Sequence, residues 1–166
     1  MTEKSRCEIV SGKKILDPCC GGRMFWFDKT HEGVVFGDMR TEEHLLCDGS
    51  LFKVAPDLQL DFRDLPFADG SFKLIVFDPP HLKHAGPNSW MGKKYGILGK
   101  DWRNDLRKGF AECTRVLAPD GVLIFKWAEL RIKTSDVLKL VEMRPLFGHR
   151  SGKQQHTHWL CFMKGA

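Results

Sequence analysis

The sequence predicts an α/β domain: a mostly parallel sheet of seven strands, a C-terminal antiparallel strand pair, and helices on both faces. Three observations predict it. Short apolar runs alternate with helix-patterned or turn-rich stretches along all 166 residues. Three early runs stop at an acid (Asp17, Asp38, Asp78), and a fourth contains Asp61 near its end. The last two runs, residues 145–149 and 157–163, read as a closing pair of strands.

Each element has its own signal. Residues 13–17 are apolar up to Asp17, and Pro18, Cys19, Cys20, Gly21 and Gly22 then turn the chain tightly. Residues 23–29 fit a short helix. Residues 34–37 form a second strand before Asp38, and residues 58–62 a third. Residues 73–77 are the most apolar strand and run into Asp78-Pro79-Pro80-His81. Trp102, Leu106, Phe110, Cys113 and Leu117 recur at helical spacing over 101–117. Asp120-Gly121 turns into a strand over 122–127. Thr134 and Ser135 cap a helix reaching to about Val141. Two stretches lack a clean pattern. Residues 41–56, around Cys47-Asp48-Gly49-Ser50, suggest a β-hairpin where a helix is expected. Residues 82–100 form a long glycine-rich loop, a length usually tied to function.

The length fits a single domain over 1–166, with no separate target-recognition domain. No apolar stretch is long enough to span a bilayer, and residues 1–14 lack the apolar core of a secretory signal. Six cysteines without a C-x-x-C spacing, two of them adjacent, fit a reduced, cytoplasmic protein with no membrane partner. On a strand, His156 and His158 face one side and Cys161 the other, so no metal site is expected there. There is no G-x-S-x-G elbow and no P-loop.

In open parallel sheets, ligands bind beyond the C-terminal ends of the strands. Acids along that edge suit hydroxyls, amino groups and cations better than bare phosphates.

The order of these motifs resembles a class I S-adenosylmethionine-dependent methyltransferase, with its Rossmann-like fold, over nearly the whole chain. Ile15 to Gly22 resembles the turn that cradles the methionine part of the cofactor. The resemblance implies cofactor contacts from Asp17, Pro18, Cys19 and Gly21. Arg23 stands where the family usually has glycine; its charge suits the methionine carboxylate or else blocks the turn. Asp38 matches the acid that receives the ribose hydroxyls. Asp61 and Phe62 match the acid and ring-flanking residue at the adenine. Residues 110–121 resemble the helix and turn before strand five.

Asp78-Pro79-Pro80-His81 resembles the D/N-P-P-aromatic motif of methyltransferases that act on exocyclic or amide nitrogens, as in short adenine-N6-type enzymes carried by phages and prophages. A conjugated amine is a poor nucleophile because its lone pair is delocalised. Asp78 and the Pro79 carbonyl can accept its two N–H bonds, and the prolines fix the backbone. The fourth residue stacks on the flipped base; His81 in that place can also hydrogen-bond or act as a base.

The resemblance implies methylation of an exocyclic nitrogen of nucleic acid, adenine N6 favoured and DNA favoured over RNA. No metal is needed. Lys83, Trp90, Lys93, Lys94, Tyr95 and Lys126 are the candidate substrate contacts, the aromatics for stacking and the lysines for phosphate. Recognition would come from loops, a second copy of the chain or a specificity partner. Two alternatives stand beside it: a methyltransferase for a protein amide nitrogen or small molecule, and an inactive cofactor-binding partner subunit.

Charge distribution favours a polyanion. The chain's net charge is +5. Residues 1–82 hold 10 basic and 14 acidic side chains, residues 83–108 hold 7 and 2, and residues 143–166 hold 4 and none. The acidic half carries the cofactor motifs, and basic segments flank the substrate side.

Overall fold

The computed structural model describes residues 10–24, 26–86 and 89–166. The main sheet contains β1 (Ile15–Asp17), β2 (Val34–Asp38), β5 (Leu58–Gln59), β6 (Phe72–Phe77), β7 (Leu117–Ala128), β8 (Phe147–Ser151) and β9 (Thr157–Met163). Their order is β5-β2-β1-β6-β7-β9-β8. The first five are parallel to one another, while β9 runs antiparallel to both β7 and β8. The expected closing strand pair is therefore present, with β8 beginning two residues later than the sequence suggests.

β3 (Glu42–Leu45) and β4 (Leu51–Val54) form a separate antiparallel hairpin between β2 and β5. This is the hairpin foreseen in place of a helix. Its turn is fixed by Asp48 Oδ1, which accepts from the Ser50 amide and hydroxyl at 2.9 and 2.6 Å, and by Gly49 at φ 79°.

Three helices are described: α1 (Trp90–Tyr95), α2 (Trp102–Val116) and α3 (Thr134–Leu138). α1 lies inside the glycine-rich loop and is capped by Ser89, whose hydroxyl accepts from the Gly92 amide. α3 ends at Leu138, three residues short of the expected limit. Among the described residues of 23–29 the expected helix is not formed. Arg23 takes φ 52°, and its guanidinium donates to the Lys29 and Ala55 carbonyls, closing this stretch as a turn.

Alternation along the strands sorts the core. Leu16, Val35, Ile75, Phe77, Leu123, Phe125 and Phe162 point to one face and join the larger cluster. Leu106, Phe110 and Cys113 of α2 and Val137 of α3 pack there too. The Phe110 ring lies 4.8 Å from Phe125 and 5.3 Å from Phe77. Each such buried side chain is worth about 2–3 kcal/mol. The opposite face carries a smaller cluster of Cys20, Val34 and Phe36, against which Ile15 and Trp26 pack. Among the described residues, Cys20 and Trp26, which lie outside any helix, cover the strand residues Ile15, Val34 and Phe36 there.

Candidate functional site

The parallel strands β1, β2 and β6 bring Asp17, Asp38 and Asp78 to one edge of the sheet. Asp17 is fully buried: it accepts from Trp26 Nε1 at 2.7 Å and from the Cys19 amide at 3.2 Å. Burial pushes its carboxyl up to about 7, against those hydrogen bonds.

Asp38 closes the glycine turn. Its Oδ2 accepts from the Gly21 amide at 2.9 Å, and its Oδ1 from the Arg40 amide and Nε at 2.9 and 3.2 Å. Gly21 has φ 49°, and a Cβ there would meet nothing nearer than Arg40 Nη2 at 3.9 Å. The turn is open on that side. Gly22 differs: a Cβ would strike the Phe52 ring at 2.6 Å, so this glycine lets the hairpin pack against the turn.

The pairing of Phe77 with Phe125 sets Asp78 level with Lys126, whose ammonium lies 2.5 Å from Asp78 Oδ2. Burial pushes the Asp78 carboxyl up, and the Lys126 charge opposes it. His81 is buried, tilted against Tyr95 at 5.6 Å and edge-on to Trp127 at 6.3 Å. Burial pushes His81 down to about 4, with Lys126 adding to the effect, so its ring is neutral at pH 7.

Two adjoining cavities open at this edge. The first is lined by Pro18, Asp38, Phe62, Arg63, Pro80 and Asp105, among others. The second is lined by Gly21, Gly22, Pro79, His81, Lys94 and Lys126, among others. Cys19, Arg40, Asp78 and Tyr95 line both. Most of the expected cofactor-edge and Asp-Pro-Pro residues therefore converge.

Others lie apart. Asp17 and Asp61 line neither cavity. Asp61 is clasped by Arg63, whose Nε and Nη2 donate to it at 2.6–3.0 Å while Nη1 reaches Asp105 at 2.9 Å. Burial raises Asp61, and the Arg63 hydrogen bonds outweigh it, leaving the carboxyl below its usual range. Arg23 turns to Asp57 at 2.7 Å and lies over the Phe36 ring, outside both cavities. Of the candidate substrate contacts, Lys94, Tyr95 and Lys126 line the second cavity. Lys83, Trp90 and Lys93 do not, although Trp90 is exposed with Lys94 Nζ 5.8 Å from its ring centroid. His158 pairs with Glu129 at 2.8 Å, and no metal-binding cluster occurs among the described residues.

Sequence reasoning missed Arg40, Arg63 and Asp105. The first two had a signal: Asp38-x-Arg40 and Asp61-x-Arg63 share one spacing, and each arginine folds back on its acid. Asp105 is an acid within the buried stripe of α2.

The strand order, with its one antiparallel strand next to the last, and the crevice at the ends of β1, β2 and β6 define the class I S-adenosylmethionine-dependent methyltransferase fold. Solved structures share it. The PH0226 protein from Pyrococcus horikoshii OT3 is 17% identical, with a TM-score of 0.57 over 97% of this chain and 90% of that one. A TehB-like methyltransferase from Corynebacterium glutamicum is 18% identical, with a TM-score of 0.54 over 96% and 87%. The 1,6-didemethyltoxoflavin-N1-methyltransferase of Burkholderia thailandensis, solved with bound 1,6-didemethyltoxoflavin and S-adenosylhomocysteine, is 12% identical, with a TM-score of 0.54 over 99% and 78%. At these identities the likeness is one of fold. No family model and no curated protein matches the chain.

Proposed function

We propose that the chain is an S-adenosylmethionine-dependent methyltransferase acting on an exocyclic nitrogen of nucleic acid, with adenine N6 of DNA the favoured target. The observation that carries this reading is Asp78: a carboxylate at the end of β6 that lines both cavities and stands level with Lys126.

The residues present fit the cofactor. The Gly21 turn is open where a Cβ would stand, Asp38 suits ribose hydroxyls, and Phe62 suits the face of an adenine ring. S-adenosylmethionine supplies an electrophilic methyl group on a sulfonium. Asp78 and the Pro79 carbonyl accept the two hydrogens of the target amine, which frees its lone pair. The Lys126 charge opposes the upward push of burial on Asp78 and so favours its ionised form. His81 packs on or orients the base, and as a neutral imidazole it can accept the proton the product sheds. Alignment and charge placement supply most of the rate.

Lys94 and Lys126 beside Tyr95, with the basic stretch 83–108 around them, support a polyanionic substrate. The test is incubation with methyl-labelled cofactor and, separately, duplex DNA, single-stranded DNA, RNA and a cell extract, with Asp78→Ala as control. Label in nucleic acid, lost in the variant, is expected. Label only in protein or small molecules overturns the nucleic-acid reading. Cofactor binding without label anywhere points to a partner subunit, and no cofactor binding overturns the whole.

A further inference from the structure

The crevice presents an electrostatic problem. Asp38, Asp78 and Asp105 all line the first cavity. Each is already paired with a cation, Asp38 with Arg40, Asp78 with Lys126 and Asp105 with Arg63, so the carboxylate at the amino-acid end of S-adenosylmethionine gains only from a cation that keeps a donor to offer. A cation has to meet that carboxylate near the glycine turn.

Five cations lie close enough to consider, and one of them, Arg63 on the first cavity, is spent on Asp61 and Asp105. Arg23, next to the turn in sequence, is committed to Asp57 and to two carbonyls, and it lines neither cavity. Lys126 is engaged with Asp78. Lys94 sets its ammonium 5.8 Å from both the Trp90 and Tyr95 ring centroids. Arg40 lines both cavities, and its side chain is only 20% exposed. Its Nε donates to Asp38 and its Nη1 to the Lys93 carbonyl at 2.9 Å, which fixes the guanidinium plane. The remaining Nη2 is the side-chain atom nearest to where a Gly21 Cβ would stand, 3.9 Å away.

Resting on the cofactor reading above, we infer that Arg40 binds the carboxylate of S-adenosylmethionine over the Gly21 turn, the part the sequence suggests for Arg23. Arg40 is held from two sides, so little side-chain freedom is lost when the anion arrives. Its charge also lies between the incoming carboxylate and Asp38, which screens the two anions from each other. Arg40 is thus the residue that distinguishes the intact cofactor product from an adenosine fragment.

The test compares two probes by calorimetry: S-adenosylhomocysteine, which has the amino-acid end, and 5′-methylthioadenosine, which lacks it. Wild type should prefer the first. Arg40→Ala should weaken S-adenosylhomocysteine roughly 10- to 100-fold. The same variant should leave methylthioadenosine within about twofold, since the lost contact is one this probe never makes. Arg40→Lys should recover part of the preference, and it serves as the informative variant if the alanine form does not fold by circular dichroism. Equal weakening of both probes overturns the inference, because Arg40 would then act only as a strap between Asp38 and Lys93. Unchanged affinity for both also overturns it, including the case where only nucleic-acid binding falls. Wild-type protein that binds neither probe is a different failure, that of the cofactor reading itself.

Discussion

The ends of β1 and β6 lie side by side in the sheet and deliver two aspartates to the same edge, Asp17 buried and Asp78 half-buried. Asp17 is sealed beneath the glycine turn, with Trp26 Nε1 and the Cys19 amide as donors. Asp78 faces two cavities and a lysine on the next strand. Burial raises both carboxyls, but only at Asp78 does a cation oppose it. The difference teaches that a perturbed acid marks chemistry only when a ligand can reach it. Asp17 holds the turn together from below, whereas Asp78 is open to whatever enters the cavities.

Replacing the two acids breaks this comparison most sharply. Asp78→Ala should leave the fold and cofactor affinity intact and lower methyl transfer at saturating cofactor by about 100- to 1000-fold. Asp17→Asn should instead reveal itself in stability. The folded Asp17 carboxyl titrates near 7 and the unfolded one near 3.8. The folded state therefore holds the proton more tightly, and this group's contribution is full below pH 4 and lost as pH rises through 7. The stability of wild type relative to Asp17→Asn, from urea midpoints, should fall by roughly 2 kcal/mol between pH 5 and pH 8. A rise over that interval would mean that the two hydrogen bonds outweigh burial.

Lys126 supplies the contrast at the other acid. On the proposed mechanism activity needs Asp78 ionised, which holds above its pKa. Without Lys126 the carboxyl rises further, so the acid limb of the pH–rate profile should move to higher pH in Lys126→Met. Activity lost on the acid side of the profile should be regained under alkaline conditions. Lys126→Arg should restore the profile. A uniform loss at every pH would assign Lys126 to substrate contact alone.

How much of this could be read from the chain depends on how local each feature is. The strands ending in Asp17, Asp38 and Asp78 were legible because apolar runs stop at acids. The 42–54 hairpin was legible because Asp48-Gly49-Ser50 is turn chemistry. The failed helix at 23–29 was not, because Arg23 is drawn off by Asp57 and by carbonyls at positions 29 and 55, partners visible only after folding. The pairing of Asp78 with Lys126 likewise depends on the β6–β7 register, 48 residues apart. Arg40 and Arg63 each fold onto an acid two residues back, a local pattern that was available and passed over.

The smallest expected effect belongs to Arg63, and it tests whether the β5 end of the crevice is sealed like Asp17 or open like Asp78. Arg63 clasps Asp61 and reaches Asp105, yet its side chain is 37% exposed and that of Asp61 34%. Water and salt screen such a pair, so Arg63→Ala should cost about 1 kcal/mol or less. The Asp61 carboxyl is lowered in the folded state, so its contribution is present above pH 4 and lost as pH falls through the folded value. The gap between wild type and Arg63→Ala should therefore close in acid, opposite in sign to the Asp17 effect, and shrink in 1 M salt. Urea midpoints at pH 7 and pH 3, with and without salt, decide it. A cost near 3 kcal/mol that ignores salt would mean a desolvated network at Asp61, and Asp61 would then be structural like Asp17, in contrast to Asp78.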